Sequence, residues 1–136
     1  AGTVSDALVN NGTDLLPTIC EWTGAKVPHG RPGVSYKTVV ENGEQGQEYI
    51  VTETNFNQTA GTLGWMVRTK DYKYVLYDKG QHREQLFDMR NDRDEMRNLA
   101  VESKYHDILI QHRAILENWL KTTPGPERQR HLRFIP

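Results

Sequence analysis

Few side chains in this 136-residue sequence have the type and the setting that chemistry requires. The chain contains one cysteine, Cys20, and its neighbours predict that it lies on the apolar stripe of a helix. No positive group or helix start is at hand there to activate the thiol as a nucleophile. A free cysteine in such a place is more often a buried core residue than a nucleophile. One cysteine cannot form a disulfide within the chain. We therefore expect Cys20 to have a structural role.

Two of the five histidines, His106 and His112, lie six residues apart on one predicted helix. That spacing places them on different faces, so they cannot share a metal ion. His112 falls on the apolar stripe of the helix, which predicts a buried, hydrogen-bonded histidine. His29 differs because it lies in a loop rich in proline and glycine, where a backbone can come close to a ligand. His29 is therefore a binding candidate, although an exposed histidine without a function is the commoner case.

The acidic residues between positions 88 and 95 could suggest a calcium site. They are Asp88, Asp92, Asp94 and Glu95. The run lacks the alternating carboxylates and the central glycine of an EF-hand loop, and helix capping explains Asp92 and Glu95 more simply. The glycines of the chain are scattered, without the spacing that places amides around a phosphate. We therefore predict no metal-ligating residues and no phosphate loop.

The charge balance excludes some partners. The chain has 17 Lys and Arg against 18 Asp and Glu, a formal net charge of −1, so it has no general attraction for nucleic acid or anionic lipid. No stretch approaches the roughly 18 to 20 apolar residues of a membrane span. The segment Ala1–Asn11 lacks the basic start and apolar centre of a signal peptide. We expect neither a nucleic-acid partner nor a membrane span.

The first element that could position these side chains is a helix between Asp14 and Gly24. Asp14 can accept hydrogen bonds from the free amides of the first turn, and Gly24 suits the left-handed residue after the last. Pro17 falls in the first turn, where it removes no hydrogen bond. The apolar stripe of this helix comprises Leu15, Leu16, Ile19 and Cys20. From Val27 to Gly46 prolines and glycines favour a loop, in which a short strand over residues 35–40 is possible.

The middle of the chain predicts a sheet. Segments rich in aromatic and β-branched residues, or bounded by turn residues, predict four strands: Glu48–Thr54, Leu63–Thr69, Lys73–Tyr77 and Glu84–Met89. The second and third are separated only by residues around Lys70-Asp71, which predicts a tight hairpin.

After the strands the apolar period changes to that of a helix. Asp92 and Glu95 resemble a capping box for a short helix through Leu99, and Ser103 can cap a longer one that ends before Pro124-Gly125-Pro126. The apolar stripe of the long helix comprises Tyr105, Ile108, Leu109, Ile115, Leu116, Trp119 and Leu120. The predicted fold class is α+β, a small antiparallel sheet of about four strands covered on one face by a long C-terminal amphipathic helix.

Several runs together are more specific than any single residue. Met66–Tyr77, Glu84–Met89 and Asn91–Ala100 resemble, in order, the C-terminal subdomain of the arylsulfatase-type sulfatases. That family has an Arg-Thr strand end, a Tyr-Lys-Tyr strand, a Glu-Leu-Tyr-Asp-Leu strand and an Asp-Pro-Gly-Glu-x-x-Asn-Leu-Ala turn. Upstream, Asp14–Ala25 is similar to the family's Asp-x-x-Pro-Thr-Leu-x-x-x-x-Gly helix, and His29–Ser35 to the loop after it.

The resemblance covers most of residues 5–121. The chain departs from the family at Arg93-Asp94, which stand in place of Pro-Gly, and at a polar insertion over residues 55–62. Asn98 is expected to satisfy backbone groups where two helices meet.

The resemblance implies a formylglycine-dependent sulfatase of the alkaline-phosphatase-like superfamily. Such enzymes hydrolyse sulfate esters, and some sulfamates, with a formylglycine made in a Cys/Ser-x-Pro/Ala-x-Arg motif and with a calcium ion. That motif is missing from this sequence, since Cys20 is followed by Glu-Trp-Thr-Gly. We therefore predict no catalytic and no metal residue here, and assign both cofactors to the parent enzyme. The chain alone is expected to be inactive, and the first helix to pack against a missing N-terminal α/β domain.

What the chain could contribute is a wall of the substrate cleft. In the family, loops of this subdomain lean toward the active site, and the matching stretches are residues 29–33 and 53–62. The predicted substrate-binding residues are His29, Arg31, Asn55, Asn57 and Thr59, whose side chains suit a sulfated sugar. For any one of them a solvated loop residue is the commoner case.

The resemblance also implies a periplasmic, secreted or lysosomal enzyme. The predicted organisation is a first helix and its approach, a Pro/Gly-rich loop, the sulfatase subdomain and a tail, over residues 1–26, 27–47, 48–121 and 122–136. Two other functions stay open on the sequence: a free-standing carbohydrate- or protein-binding module, and part of a related phosphatase-superfamily hydrolase.

Overall fold

The computed structural model describes residues 4–56, 63–123 and 135–136. The chain divides into two compact units, which we call the N-terminal unit, Ala1–Ile50, and the sheet unit, Val51–Pro136. The predicted residues Asn57 and Thr59, the predicted helix stop at 124–126 and the basic part of the tail lie outside the described residues.

Residues 4–50 of the N-terminal unit form two helices. Helix α1 spans Leu15–Thr23 and ends at Gly24, which adopts a left-handed conformation (φ 72°) as predicted. Within α1, Cys20 is buried, as expected for a structural cysteine. The end of this helix could be predicted because the left-handed residue after a helix is usually glycine.

The strand predicted over residues 35–40 is wrong, because this segment begins helix α2, Lys37–Asn42. The Ser35 hydroxyl accepts a hydrogen bond from the Lys37 amide (3.2 Å) at its start, and Gly43 ends it in a left-handed conformation (φ 70°). The β-branched residues 38–40 favour strands only where a neighbouring strand receives them. Here the local turn at each end decides the conformation.

The sheet has four strands in the order β1-β2-β3-β4. They are β1 Tyr49–Asn55, β2 Leu63–Thr69, β3 Tyr72–Tyr77 and β4 Glu84–Asp88. Strands β2 and β3 pair antiparallel with Arg68 opposite Lys73, which confirms the predicted tight hairpin. Strand β4 pairs antiparallel with β3. All four predicted strands are confirmed within one residue at each end.

One face of the sheet carries the core. Residues opposite each other in an antiparallel pair share a face, so Trp65 and Leu76 lie together, as do Val67 and Tyr74. All four are buried. Helix α3, His106–Thr122, covers this face with the buried side chains of Leu109, His112, Leu116 and Leu120. The α+β layer arrangement that the sequence predicts is confirmed.

The helix predicted from Asp92 to Leu99 is wrong. The chain there forms an irregular connection, because the Asp92 carboxylate accepts hydrogen bonds from the amides of Met96 (3.0 Å) and Arg97 (2.9 Å). Glu95 adopts a left-handed conformation (φ 58°) and pairs with Lys73 of β3 (2.7 Å) instead of capping a helix. The side chains of the apparent capping box thus serve a turn and an ion pair.

Two 3₁₀ turns, Leu99–Val101 and Ser103–Tyr105, lead into α3. Ser103 makes no side-chain cap, and the α-helix begins at His106 after the N-cap residue Tyr105, so the predicted N-cap was two residues early. Asn98 accepts hydrogen bonds from the amides of Leu86 (3.1 Å) and Ala100 (3.0 Å), and it donates to the carbonyl of Glu84 (3.1 Å). It satisfies backbone groups at the edge of β4 and at a 3₁₀ turn, rather than between two helices.

Candidate functional site

The candidate site in the N-terminal unit is the anchored loop, residues 25–36, which carries His29 and Arg31. Both side chains are exposed, and neither makes a hydrogen bond or ion pair with any residue in the described part of the chain. Gly30 (φ 71°) and Gly33 (φ 110°) bend the backbone on either side of Arg31. The loop therefore presents a guanidinium group to solvent from between two bends.

Gly33 holds the loop against the residues before α1. A Cβ atom added at this position would lie 2.1 Å from the carbonyl oxygen of Thr13 and 2.5 Å from its carbon. The backbone conformation is also one that a residue with a side chain rarely adopts. Only glycine permits this approach, so the loop is fixed two residues beyond Arg31.

The Asp14 side chain also holds this loop in place through hydrogen bonds. Its carboxylate, on a residue that is only 1% exposed, accepts hydrogen bonds from the amide of Val34 (3.1 Å), the amide of Asn10 (2.7 Å) and the side chain of Gln47 (3.0 Å). It makes no hydrogen bond to the first turn of α1. The sequence placed Asp14 correctly at the helix start but gave its side chain the wrong partners.

A second buried side chain, Thr18 on α1, continues the anchorage. Its hydroxyl donates to the carbonyl oxygen of Asp14 (2.6 Å) and accepts from the amide of Tyr36 (2.9 Å). Two buried polar side chains, Asp14 and Thr18, thus bind the loop to the start and the first turn of α1. Because these groups are satisfied in the interior, the arrangement is rigid and specific.

The sign of charge on the anchored loop is uniform. Between Glu21 and Glu41 the sequence contains no acidic residue. The basic residues of this stretch are Lys26, His29, Arg31 and Lys37. A cluster of one sign on an exposed loop attracts ligands of the opposite sign. The loop suits an anion.

The other predicted binding residue within the described chain, Asn55, is the exposed last residue of β1 in the sheet unit. The structure does not assign it to a common site with His29 and Arg31. Asn57 and Thr59 lie outside the described residues.

The sheet unit contains a part-buried ionic network that the sequence did not predict. The Glu84 carboxylate on β4 accepts hydrogen bonds from the Tyr74 hydroxyl (2.7 Å) and the Arg113 Nε (2.7 Å). Burial raises the pKa of Glu84, but the hydrogen bonds from Arg113 and Tyr74 outweigh it and leave the pKa below its ordinary value. Burial and the carboxylate raise the pKa of Tyr74. The network joins β3, β4 and α3 and serves the fold.

His112 is buried and hydrogen-bonded, as predicted. Its Nδ1 donates to the carbonyl oxygen of Ile108 (2.8 Å), because a carbonyl can only accept. Its Nε2 lies 3.1 Å from the Thr69 hydroxyl. Burial lowers the pKa of this histidine, and its two hydrogen-bond contacts place the ring in the core.

The structure places no metal centre among residues 4–56, 63–123 and 135–136, where no group of three or more His, Cys, Asp or Glu side chains could hold an ion. In the same ranges no helix is long and apolar enough to cross a membrane.

Comparison with known proteins gives one family. The model of the family described as N-sulphoglucosamine sulphohydrolase, C-terminal, matches residues 1–122. The chain is 37% identical over 120 residues to the Delta 4,5-hexuronate-2-O-sulfatase of Bacteroides thetaiotaomicron, covering 86% of this chain and 25% of that protein. It is 31% identical over 99 residues to Arylsulfatase K of Mus musculus, covering 65% of this chain and 18% of that protein.

The solved structure of a 2-O GAG sulfatase gives the same result in three dimensions. It superposes with a TM-score of 0.71 at 34% identity, over 88% of this chain and 25% of that one. The chain thus spans about a quarter of the length of the hexuronate sulfatase and of this structure.

Proposed function

Since this chain belongs to the family of sulfatase C-terminal domains typified by N-sulphoglucosamine sulphohydrolase, we propose that it is the C-terminal portion of a sulfatase that hydrolyses sulfate esters of carbohydrates. The relatives named for a hexuronate 2-O-sulfate and for GAG sulfatase activity favour a glycosaminoglycan-type substrate. The observation that carries a role for this portion is the anchored loop, which presents Arg31 and His29 to solvent.

We assign to the anchored loop a part of the wall of the substrate cleft. The guanidinium of Arg31 is planar and carries paired N–H donors, which match two oxygens of a sulfate group. The Gly33 and Asp14 contacts hold the loop before the ligand arrives, so less conformational entropy is lost on binding. His29 stands two residues away on the same loop and can add a further donor to the sugar or the sulfate.

The residues of this chain do not fit either cofactor that the family implies. Cys20 is buried in α1 and is not in the Cys/Ser-x-Pro/Ala-x-Arg motif. No described side chains form a metal cluster. We therefore assign the formylglycine and the calcium ion to the rest of the enzyme, where they would supply the nucleophile and a positive charge beside the sulfate. The role of this chain is binding and support.

The partner that this proposal requires is the N-terminal domain of the same enzyme. On α1, Leu15, Leu16, Ile19 and Trp22 are between 44% and 58% exposed, and they recur at helical spacing on one stripe. Such a row of large apolar side chains suits burial against another domain. A periplasmic, secreted or lysosomal location belongs to the same proposal.

The test is the substitution Arg31→Ala in the full-length enzyme, with a sulfated disaccharide as substrate. We expect kcat/KM to fall about 10- to 100-fold, the loss of a charge-assisted hydrogen bond to the substrate, and Arg31→Lys to recover part of it. The control Lys26→Ala removes an exposed cation of the same loop and should leave kcat/KM within about twofold. Equal kinetics for Arg31→Ala and Lys26→Ala would refute the role of the loop.

A further inference from the structure

The sheet unit has a groove on the face of the sheet that α3 does not cover. Gly64, Met66, Val75 and Tyr77 share this face because they lie opposite one another in the β2–β3 pairing and alternate with the core residues. The volume of the groove is about 260 Å³. Its side-chain lining includes Thr52, Thr54, Phe56, Met66, Lys73 and Tyr77.

Two aromatic rings form one wall of the groove. The ring centroids of Phe56 and Tyr77 lie 6.2 Å apart with a tilt of 40°, and Phe56 is 60% exposed. Gly64 leaves the space that the rings occupy, because an added Cβ atom would lie 3.1 Å from the Tyr77 ring and 3.3 Å from the Phe56 ring. The two tilted rings thus give the groove one apolar wall.

The rest of the lining is polar but nearly neutral. Thr52 and Thr54 are exposed on β1 and bring two hydroxyl groups. The ammonium group of Lys73 is held by both carboxylate oxygens of Glu95, at 2.8 Å and 2.7 Å, so its charge is balanced locally. A ligand that fits this lining has a flat face of C–H groups, hydroxyl groups on its edge and no need of negative charge. A pyranose ring has this chemistry.

We propose that the groove binds one sugar ring of a glycan chain, with the ring face against Phe56 and Tyr77 and its hydroxyls toward Thr52 and Thr54. Polarised C–H groups are attracted to the negative face of an aromatic ring. The volume of about 260 Å³ lies just below the range of about 300 to 1,000 Å³ for small-molecule sites, and it suits a single ring. The proposal rests on the proposed function for its ligand class, but it differs in requiring no sulfate.

The experiment titrates the ¹⁵N-labelled 136-residue chain with an unsulfated chondroitin tetrasaccharide and follows amide resonances. We expect shifts at the strand residues that line the groove. The Phe56→Ala variant should bind at least about fivefold more weakly, since an aromatic contact of this kind is worth about 1 kcal/mol. The matched control Met96→Ala removes a side chain that is 84% exposed and outside the groove, and it should bind like the unaltered chain. The amide spectrum of each variant reports whether it is folded.

A parallel titration uses the sulfated tetrasaccharide and the Arg31→Ala variant. Unaltered binding of the unsulfated probe by Arg31→Ala supports a groove that acts independently of the anchored loop. No shifts with the unsulfated probe at millimolar concentration, or equal affinities for Phe56→Ala and Met96→Ala, would overturn the groove. Binding of the sulfated probe alone, lost in Arg31→Ala, would also overturn it while leaving the proposed function intact.

Discussion

Among the glycines that the structure describes, Gly33 leaves the least room for a side chain. We expect Gly33→Ala to lower the free energy of unfolding by about 2 to 4 kcal/mol, because the new Cβ would overlap the Thr13 carbonyl and because φ is 110°. The matched control is Gly24→Ala, which has a left-handed φ of 72° but no atom within 4 Å of the new Cβ. It should cost about 1 kcal/mol. Urea unfolding measures both, and similar losses would show that close approach is not what fixes the loop.

His112 gives the protein a pH dependence of known sign. Its pKa in the folded chain is below the ordinary value of 6.5, so the unfolded chain binds the proton more readily. The stabilisation is complete above pH 6.5 and is lost as the pH falls below it, by at most about 1.4 kcal/mol per pH unit. Urea unfolding between pH 5 and pH 8 measures the slope. His112→Gln should reduce it. An unchanged slope in His112→Gln would assign the effect elsewhere.

The burial of residues on a local apolar pattern could be predicted from the sequence. Hydrogen-bond partners that lie far away along the chain could not. Cys20 and His112 fell on apolar stripes and are buried. Asp14 also stands where a helix cap belongs, but its carboxylate reaches Val34 and Gln47. A short-range motif contains no information about a partner 20 or 33 residues away, so the anchorage of the loop was found only in three dimensions.

At the scale of elements, the ionic network between β4 and α3 should act as a unit. We expect Arg113→Met to destabilise the chain by about 1 to 3 kcal/mol, because it leaves the part-buried Glu84 carboxylate without its cation. The side chains of the pair are only 18% and 16% exposed. The double variant Glu84→Gln with Arg113→Met should recover part of the loss. Urea unfolding is the measurement.

The control for this network is the exposed pair Lys121 and Glu117, one helical turn apart on α3. Glu117→Gln should cost no more than about 0.5 kcal/mol. If Arg113→Met costs as little, the network is not a source of stability.

The elements themselves were largely predictable where the sequence repeats with period two or 3.6. The four strands, α1 and α3 follow from such periods and from turn residues at their ends. The predictions failed at residues 37–42 and 92–98, two short segments where side-chain hydrogen bonds to the backbone decide the conformation. Asp92 and Ser35 each bond to nearby amides, an interaction that competes with regular structure and that period alone does not reveal.

At the scale of the whole enzyme, the exposed stripe on α1 predicts a contrast between two contexts. Ile19→Asp should change the free energy of unfolding of the 136-residue chain by less than about 0.5 kcal/mol, because Ile19 is 46% exposed there. In the full-length enzyme the same change should lower stability by more than about 2 kcal/mol, since it would bury an unpaired charge against the proposed N-terminal domain. Thermal unfolding of both proteins measures the difference.

Val101→Asp is the matched control, since Val101 is 75% exposed in the sheet unit. It should be tolerated in both proteins. A full-length enzyme that tolerates Ile19→Asp equally well would show that the stripe remains open to solvent and would contradict the proposed packing of α1 against another domain.

The buried carboxylate of Asp14 has a consequence for how the N-terminal unit folds. Its partners Asn10, Val34 and Gln47 lie 4, 20 and 33 residues away along the chain. Each distant contact closes a loop, whose entropy is lost before the hydrogen bond forms. Folding of this unit should therefore be slow for its size and cooperative. A nascent chain synthesised only as far as Val34 would lack the hydrogen bond from Gln47 to Asp14. The basic loop would reach its folded conformation only after Gln47 had been synthesised.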